Sequence, residues 1–243
     1  MDKKLVIIPT YNEKENIAKI LKVVLELPIH TDLLIIDDNS PDGTAAIVKE
    51  HIPIYKGRLH ILEREGKLGL GTAYIKGFKW ALENSYDYIC EMDADFSHNP
   101  NDLPRLFDAC ATNADVAVGS RYVSGVNVVN WPMSRVLISY GASIYVRFIT
   151  NMKVKDPTAG FVCYKSDVLK TIDLDNIKFK GYAFQIEMKF TAWKYKFKVE
   201  EVPIIFTDRT EGTSKMSGGI VREAIFGVLS MTIASWSKKY NRR

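Results

Sequence analysis

Residues Tyr86–Pro100, YDYICEMDADFSHNP, limit what this chain can fold into more than any other stretch. Tyr86, Tyr88, Cys90 and Met92 alternate along it with Ile89 between, the pattern of a buried strand. The run passes directly into Asp93-Ala94-Asp95 before Pro100 and Asn101 open a helix. Two carboxylates therefore stand one residue apart at the carboxyl end of a strand. Like charges that close raise each other's pKa, so the arrangement is costly unless a cation shares the site. A hard divalent ion bridging to a phosphate is the usual resident. The alternative is that Asp93 and Asp95 decorate a solvated turn.

The same strand-to-helix handover recurs upstream. Leu5–Ile8 reads as a short buried strand ahead of Pro9-Thr10-Tyr11-Asn12, and Asn12 with Glu15 makes a capping pair for a helix with the stripe Ile17, Ile20, Leu21, Val24 and Leu25. Leu33–Ile36 is a second strand, ending in Asp37-Asp38-Asn39-Ser40, and Asp42-Gly43-Thr44 starts the next helix. A third strand, Leu59–Leu62, precedes a partly basic loop, Glu63–Gly71. Its Gly69-Leu70-Gly71 fails as a dinucleotide fingerprint, because position 74 is Tyr and the loop does not follow the first strand. The alternation predicts an α/β fold: a mainly parallel sheet with helices on both faces. Ligands in such sheets bind outside the carboxyl ends of the strands, so Tyr11, Glu13 and Asp38 should converge with Asp93 and Asp95 on one rim. Asp38 there either accepts hydrogen bonds from a base's N–H groups or caps a helix.

With 243 residues, 47% of them hydrophobic, the chain has enough material for one large domain. Its formal net charge of +4 is mild and no long block of like charges occurs, so nucleic acid is not the default partner. Cys90, Cys110 and Cys163 are scattered without metal-ligand spacing, which favours packing roles in a reducing compartment. No apolar run reaches the ~18 residues that a spanning helix needs. The expected location is the cytoplasm or the cytoplasmic face of a membrane.

In the second half, Asp102–Cys110 reads as a helix, and Val116–Val118 is a strand leading to Gly119-Ser120-Arg121. Arg121 either neutralises a phosphate or forms a surface ion pair. Ser134–Thr150 carries Leu137, Ile138, Tyr140, Tyr145 and Phe148, with Arg135 and Arg147 near its ends, an amphipathic helix that covers the sheet or faces lipid. Asp156–Phe161 reads as a turn and Phe161–Tyr164 as a strand. Gly181–Glu187 enters a helix reaching about Tyr195, with only one of Gln185 and Glu187 aimed at the site. Lys194–Lys198 reads as a basic strand edge, and Phe197 to Phe206 as a strand broken at Glu200-Glu201. Thr207–Gly219 has the composition of a loop that folds over a diphosphate, with Arg209, Lys215 and hinges at Gly212, Gly218 and Gly219, or of an exposed linker. Ile220–Trp236 is an apolar helix followed by Lys238, Lys239, Arg242 and Arg243. Residues 1–219 are thus the expected catalytic domain and 220–243 a C-terminal helix, packed or membrane-interfacial.

Ile7–Glu13, Ile36–Ser40, Gly69-Leu70-Gly71 and Asp93-Ala94-Asp95, in this order, resemble the inverting family-two glycosyltransferases with their single GT-A-type domain. Gly119–Tyr122, Asp156–Phe161, Gly181–Glu187 and Glu201–Ile204 to Lys215 look like the polyprenol-phosphate (dolichol-phosphate) mannose synthases, and the resemblance covers nearly the whole chain. It implies mannose transfer with inversion from GDP-mannose to a polyprenyl phosphate in the membrane. Pro9, Tyr11, Glu13, Ile36 and Asp38 would hold the nucleoside. Asp93 and Asp95 would hold Mg²⁺ or Mn²⁺ with the diphosphate, Ala94 between them would contact the substrate, and Arg121, Arg209 and Lys215 would face the phosphates. Where many microbial members place a metal-contacting Gln, this chain has Ser97, as the short eukaryotic members without transmembrane helices do, which leaves Ser97 as a weaker or water-mediated metal contact. Those short members rely on small membrane partners, so a small partner subunit is a further expectation.

Two rivals accompany this reading. One is the same transfer from another sugar nucleotide such as UDP-glucose, since Asp38 can accept from uracil's imide as well as from guanine. The other is a non-enzymatic receiver-like module built on Asp37, Asp38 and Asp93. Receivers, however, carry their acidic pair after the first strand and are about half this length.

Overall fold

The structure is a computed structural model that describes residues 2–181, 183–208 and 218–241, with the side chains of the last helix described from Phe226 onward. In chain order the elements are β1 (Lys4–Thr10), α1 (Lys14–Leu25), β2 (Asp32–Asp37), α2 (Thr44–His51), β3 (Leu59–Glu63), α3 (Leu70–Glu83) and β4 (Tyr88–Glu91). A 3₁₀ turn at Pro100–Asp102 leads into α4 (Leu103–Thr112). Then come β5 (Val116–Ser120), β6 (Val128–Val129), α5 (Met133–Thr150), β7 (Val162–Lys165), α6 (Ser166–Thr171), α7 (Ala183–Lys194), β8 (Val199–Pro203), β9 (Phe206–Thr207) and α8 (Gly218–Trp236).

Seven strands form one sheet in the order β3-β2-β1-β4-β7-β5-β8, and β6 pairs with β9 in a separate ribbon. The β1–β2, β1–β4, β2–β3 and β5–β8 pairs are parallel, whereas β7 runs antiparallel to both β4 and β5. The expected mainly parallel sheet is thus present, with one reversed strand wedged into it. Strand order turns outward in both directions from β1 and β4, so the crevice at their carboxyl ends is the switch point where such sheets take ligands.

Both faces of the sheet are covered, which is why its strands read as unbroken apolar runs. Successive side chains alternate between the faces: Leu5 and Ile7 of β1 pack with Tyr74 and Phe78 of α3 and Phe184 of α7. Val6 and Ile8 pack on the other side with Ile17, Ile20 and Leu21 of α1 and Phe107 of α4. Each such side chain stabilises the fold by roughly 1.5–3 kcal/mol. Cys90, Cys110 and Cys163 are buried free thiols, and Cys90 and Cys163 face each other across the β4–β7 pair.

A smaller cluster joins α5, α7 and α8 through Val146, Ile186, Phe190 and Val228. Beyond this contact α5 is poorly covered: Met133, Leu137, Ile138, Ile144 and Phe148 are exposed, Phe148 at 84%. On α8, Phe226, Ile233 and Trp236 are exposed as well.

Four local expectations are corrected. Asn12 and Glu15 do not cap α1; Asn12 adopts a left-handed φ of 60°. The first amides are instead taken by the β2–α2 turn, with Asn12, Glu13 and Lys14 donating to Ser40 Oγ, Thr44 Oγ1 and Asp42 Oδ2, each at 3.0 Å. Lys194–Lys198 is the end of α7 and the turn after it, not a strand. Glu200 and Glu201 lie within β8, an edge strand, where Glu200 accepts from Asn113 Nδ2 at 2.8 Å and Glu201 from the Lys155 and Asp156 amides at 2.7 and 2.9 Å. Gly218 and Gly219 begin α8 and are not hinges of a preceding loop.

Candidate active site at the strand carboxyl ends

The β4 strand delivers Asp93 to the rim, where its side chain is 41% exposed. Its backbone N–H donates to His98 Nδ1 at 3.2 Å, and Ser97 N–H donates to Asp95 Oδ1 at 3.0 Å, so the acidic turn is folded on itself. Between these residues Phe96 holds a φ of 60°, a left-handed conformation unusual for a bulky side chain and therefore strained. Ser97 is buried and its carbonyl accepts from Thr207 N–H at 3.3 Å.

His98 was not singled out by sequence. It is buried, stacks on Phe161 with centroids 4.9 Å apart and meets the edge of Phe206. Burial pushes its pKa down to about 4, with the Arg121 charge assisting and Asp95 opposing. It is a neutral imidazole that braces the turn by accepting from Asp93.

The donor set suits a hard cation. Asp93 and Asp95 offer carboxylate oxygens on a partly open turn, and no group of three or more His, Cys, Asp or Glu side chains suited to a metal occurs among the described residues. An ion held by these two alone keeps positions for water and phosphate oxygens, as Mg²⁺ and Mn²⁺ do in phosphate-transfer sites. Ala94 points its methyl into the core, so its reach toward a ligand is through the backbone.

Asp38 stands at the neighbouring rim position, and Arg64 holds both of its oxygens. Arg64 also donates to Thr72 Oγ1 at 2.7 Å and to Gly69 carbonyl at 3.3 Å, fixing the start of α3. Asp38 caps no helix: Asp37 accepts from Ser40 N–H and Asp42 from Thr44 N–H. Tyr11 lies beside it with the Lys67 ammonium 4.9 Å above its ring, and Glu13 accepts from Asn16 Nδ2 at 3.1 Å. Pro9 is the next-to-last residue of β1, which ends at Thr10. Ile36 is wholly buried against α3, so its side chain does not reach the rim.

Arg121 follows β5 and is buried, not at the surface. Its Nε and Nη2 grip Asp156, each at 2.7 Å, and Nη2 also donates to Thr158. Burial would raise the Asp156 carboxyl, but the charge and hydrogen bonds of Arg121 outweigh it and hold the pKa below the usual value. The expectation that Arg121 spends its fork on a phosphate is therefore corrected: that face is turned to Asp156. The guanidinium is ringed by Tyr122, Trp131 and Phe206 at 5.1–5.7 Å. Arg135, at the start of α5, stacks 4.1 Å over Trp131 and binds both oxygens of Asp208. Arg209, Gly212 and Lys215, expected on the closing loop, lie outside the described residues.

Neither Gln185 nor Glu187 opens onto the rim. Gln185 Nε2 donates to Glu91 Oε2 at 2.6 Å, and Glu187 Oε2 accepts from the Lys178 and Phe179 amides. Lys189 completes the inner network with its ammonium on Ala159 carbonyl at 2.6 Å. Burial pushes Glu91 up to about 8 and pulls Lys189 down to about 8, each opposed by the other's charge. This network was invisible in sequence because its members are 94 and 30 residues apart. The one available signal was Glu91, a charged residue inside an otherwise apolar strand.

The model of the family described as "Glycosyl transferase family 2" matches residues 5–173, more than half of the chain. This chain belongs to glycosyl transferase family 2. It is therefore a glycosyltransferase. It is 47% identical over 224 residues to a polyprenol monophosphomannose synthase of Mycolicibacterium smegmatis, covering 92% of this chain and 84% of that protein. It is 46% identical over 231 residues to an undecaprenyl-phosphate mannosyltransferase of Micrococcus luteus, covering 95% and 94%. Among solved structures, glucosyl-3-phosphoglycerate synthase of Mycobacterium tuberculosis with Mn²⁺, UDP and its product superposes with a TM-score of 0.65 at 15% identity, over 96% of this chain and 79% of that one. A mannosyltransferase of Pyrobaculum calidifontis with GDP-Man and Mn²⁺ does so with a TM-score of 0.59 at 16% identity, over 96% and 64%. These two likenesses bear on the fold alone. Among the described residues no helix is long and apolar enough to cross a membrane.

Proposed function

We propose that this transferase moves mannose from GDP-mannose to a polyprenyl phosphate with inversion, using Mg²⁺ or Mn²⁺ held by Asp93 and Asp95. The observation that carries the reading is identity of 46–47%, over nearly the whole chain, to two proteins whose names specify mannose and a polyprenyl phosphate. The bound ion would neutralise the diphosphate as it leaves. Asp38, Tyr11 and Glu13 border the position for the nucleoside, and transfer from UDP-glucose remains the second reading because Asp38 and Arg64 offer groups to either base.

The acceptor chemistry fits a site without a side-chain base. A polyprenyl monophosphate already presents an anionic oxygen, since its second pKa is about 6. The two carboxylates that could otherwise serve are committed, Asp156 to Arg121 and Glu187 to two backbone amides. What remains is electrostatic: two anions must meet, and cationic groups at the rim lower that cost. Arg209 and Lys215 are assigned to the diphosphate on the sequence resemblance.

A lipid acceptor also accounts for the bare apolar residues of α5 and α8, which support the reading of a peripheral enzyme on the cytoplasmic face of a membrane, with a small membrane partner subunit as its companion. The deciding experiment titrates GDP, UDP and their mannose and glucose conjugates with and without Mn²⁺, then assays transfer to a polyprenyl phosphate. Metal-dependent binding of UDP-glucose in preference to GDP-mannose would refute the donor, and no transfer to polyprenyl phosphate would refute the acceptor.

A further inference from the structure

The far end of α5 holds a cavity that the sugar-transfer chemistry does not use. It measures about 390 Å³ and is lined by Ile144, Arg147, Phe148, Asn151, Met152 and Lys153. Arg147 lies twelve residues beyond Arg135, roughly 18 Å along the helix axis, so the cavity is remote from the arginine that stacks on Trp131. A cation in the last turn of a helix is favoured by the helix dipole alone. Arg147 goes further: its Nε is removed from solvent and has no hydrogen-bond partner among the described residues. A buried guanidinium N–H without an acceptor is costly, and an anion entering the cavity would supply one.

The exposed apolar stripe that runs along α5 into the cavity tells which kind of anion. Leu137, Ile144 and Phe148 fall on one helical stripe and are 65%, 49% and 84% exposed. A soluble phosphate gives such a stripe no reason to be bare. A bilayer does, because the stripe can enter the acyl region while Arg147 and the exposed Lys153 meet the headgroup layer. The chain's net charge of +4 has the sign to match.

We propose that Arg147 and Lys153 form a site for the phosphate of an anionic phospholipid, through which α5 seats on the membrane. This rests on the polyprenyl-phosphate reading for its purpose, but not for its test. The experiment compares binding of the full chain to vesicles of phosphatidylcholine and to vesicles of phosphatidylcholine with phosphatidylglycerol at seven to three. The wild type should prefer the anionic vesicles. Arg147→Gln with Lys153→Gln should lose that preference by roughly five-fold for each side chain. The same variant should keep its melting temperature and its transfer to a short-chain acceptor in solution, and Phe148→Ser should weaken binding to both kinds of vesicle.

A wild type indifferent to phosphatidylglycerol, or a double variant that keeps the preference, would overturn the site. So would displacement from the vesicles by inorganic phosphate with Phe148→Ser unaltered, which would make it a pocket for free anions. A dimer abolished by Phe148→Ser, without vesicle binding, would give the face to a second copy of the chain. If the wild type fails to act on the short-chain acceptor, the acceptor reading fails while the vesicle result stands.

Discussion

Arg64 closes both carboxylate oxygens of Asp38, Nε on Oδ1 and Nη2 on Oδ2, each at 2.6 Å. The two side chains are only 4% and 9% exposed, so the pair sits out of water at the edge of the position proposed for the nucleoside. A base that is read by Asp38 is therefore read by a carboxylate already oriented by a guanidinium.

Removing one partner of such a pair strands the other. Arg64→Met should cost about 3–5 kcal/mol in urea unfolding, and Asp38→Leu with Arg64→Met should recover a large part of that loss. A double variant no more stable than the single would show that Arg64 acts through Thr72 and Gly69 instead.

Asp95→Asn keeps an oxygen to accept from Ser97 N–H and so should keep the fold, while removing a charge from the proposed metal position. Calorimetric titration should show Mn²⁺-dependent GDP-mannose affinity falling by on the order of ten-fold or more, with metal-independent affinity little changed. Equal affinity with and without the substitution would contradict the assignment of Asp95.

The Asp156 carboxyl is held below its usual pKa in the folded state. A depressed folded pKa contributes stability that is present above the unfolded value of 3.8 and is lost as pH falls through the folded value. Urea midpoints should therefore drop as acid is added below that point, and Asp156→Asn should flatten this part of the profile while lowering stability at neutral pH.

Glycines on the Arg64 loop separate sharply. A Cβ on Gly71 would lie 2.7 Å from the Phe184 ring and 2.8 Å from Phe179 carbonyl, whereas one on Gly66 meets nothing within 4 Å. Gly71→Ala should cost about 1–3 kcal/mol and Gly66→Ala close to nothing, measured as thermal midpoints.

Glu187→Gln retains an acceptor for the Lys178 and Phe179 amides and should retain kcat with saturating donor, acceptor and metal. Loss of kcat alone, with affinities intact, would restore Glu187 as a general base.

The strands were legible because burial on both faces leaves apolar runs, and the rim was legible because carboxylates cluster where those runs stop. Glu200 and Glu201 misled because remote donors, Asn113 for one and the Lys155 and Asp156 amides for the other, hold their carboxylates without interrupting the strand. Asn12 misled because its helix takes its caps from Ser40, Asp42 and Thr44, a different turn. The partners of Asp38 and Arg121 were hidden for the same reason: Arg64 and Asp156 are brought to them by tertiary packing across 26 and 35 residues, which no local pattern encodes.

The reversed strand β7 also sets an order of assembly. Strands β3, β2, β1 and β4 are complete once residue 91 has left the ribosome, and this block already holds Tyr11, Glu13 and Asp38 of the rim. The β5 strand, made next, cannot join it, because the place beside β4 belongs to residues 162–165. Until those residues emerge, β4 presents an open edge, and β5, which leads to Arg121, has no strand partner in the β1–β4 block and is tied to it only through α4. Four residues centred on Cys163 and Tyr164 are thus the keystone: a nascent chain halted before them would hold one half of a catalytic rim, with the other half not yet in the sheet.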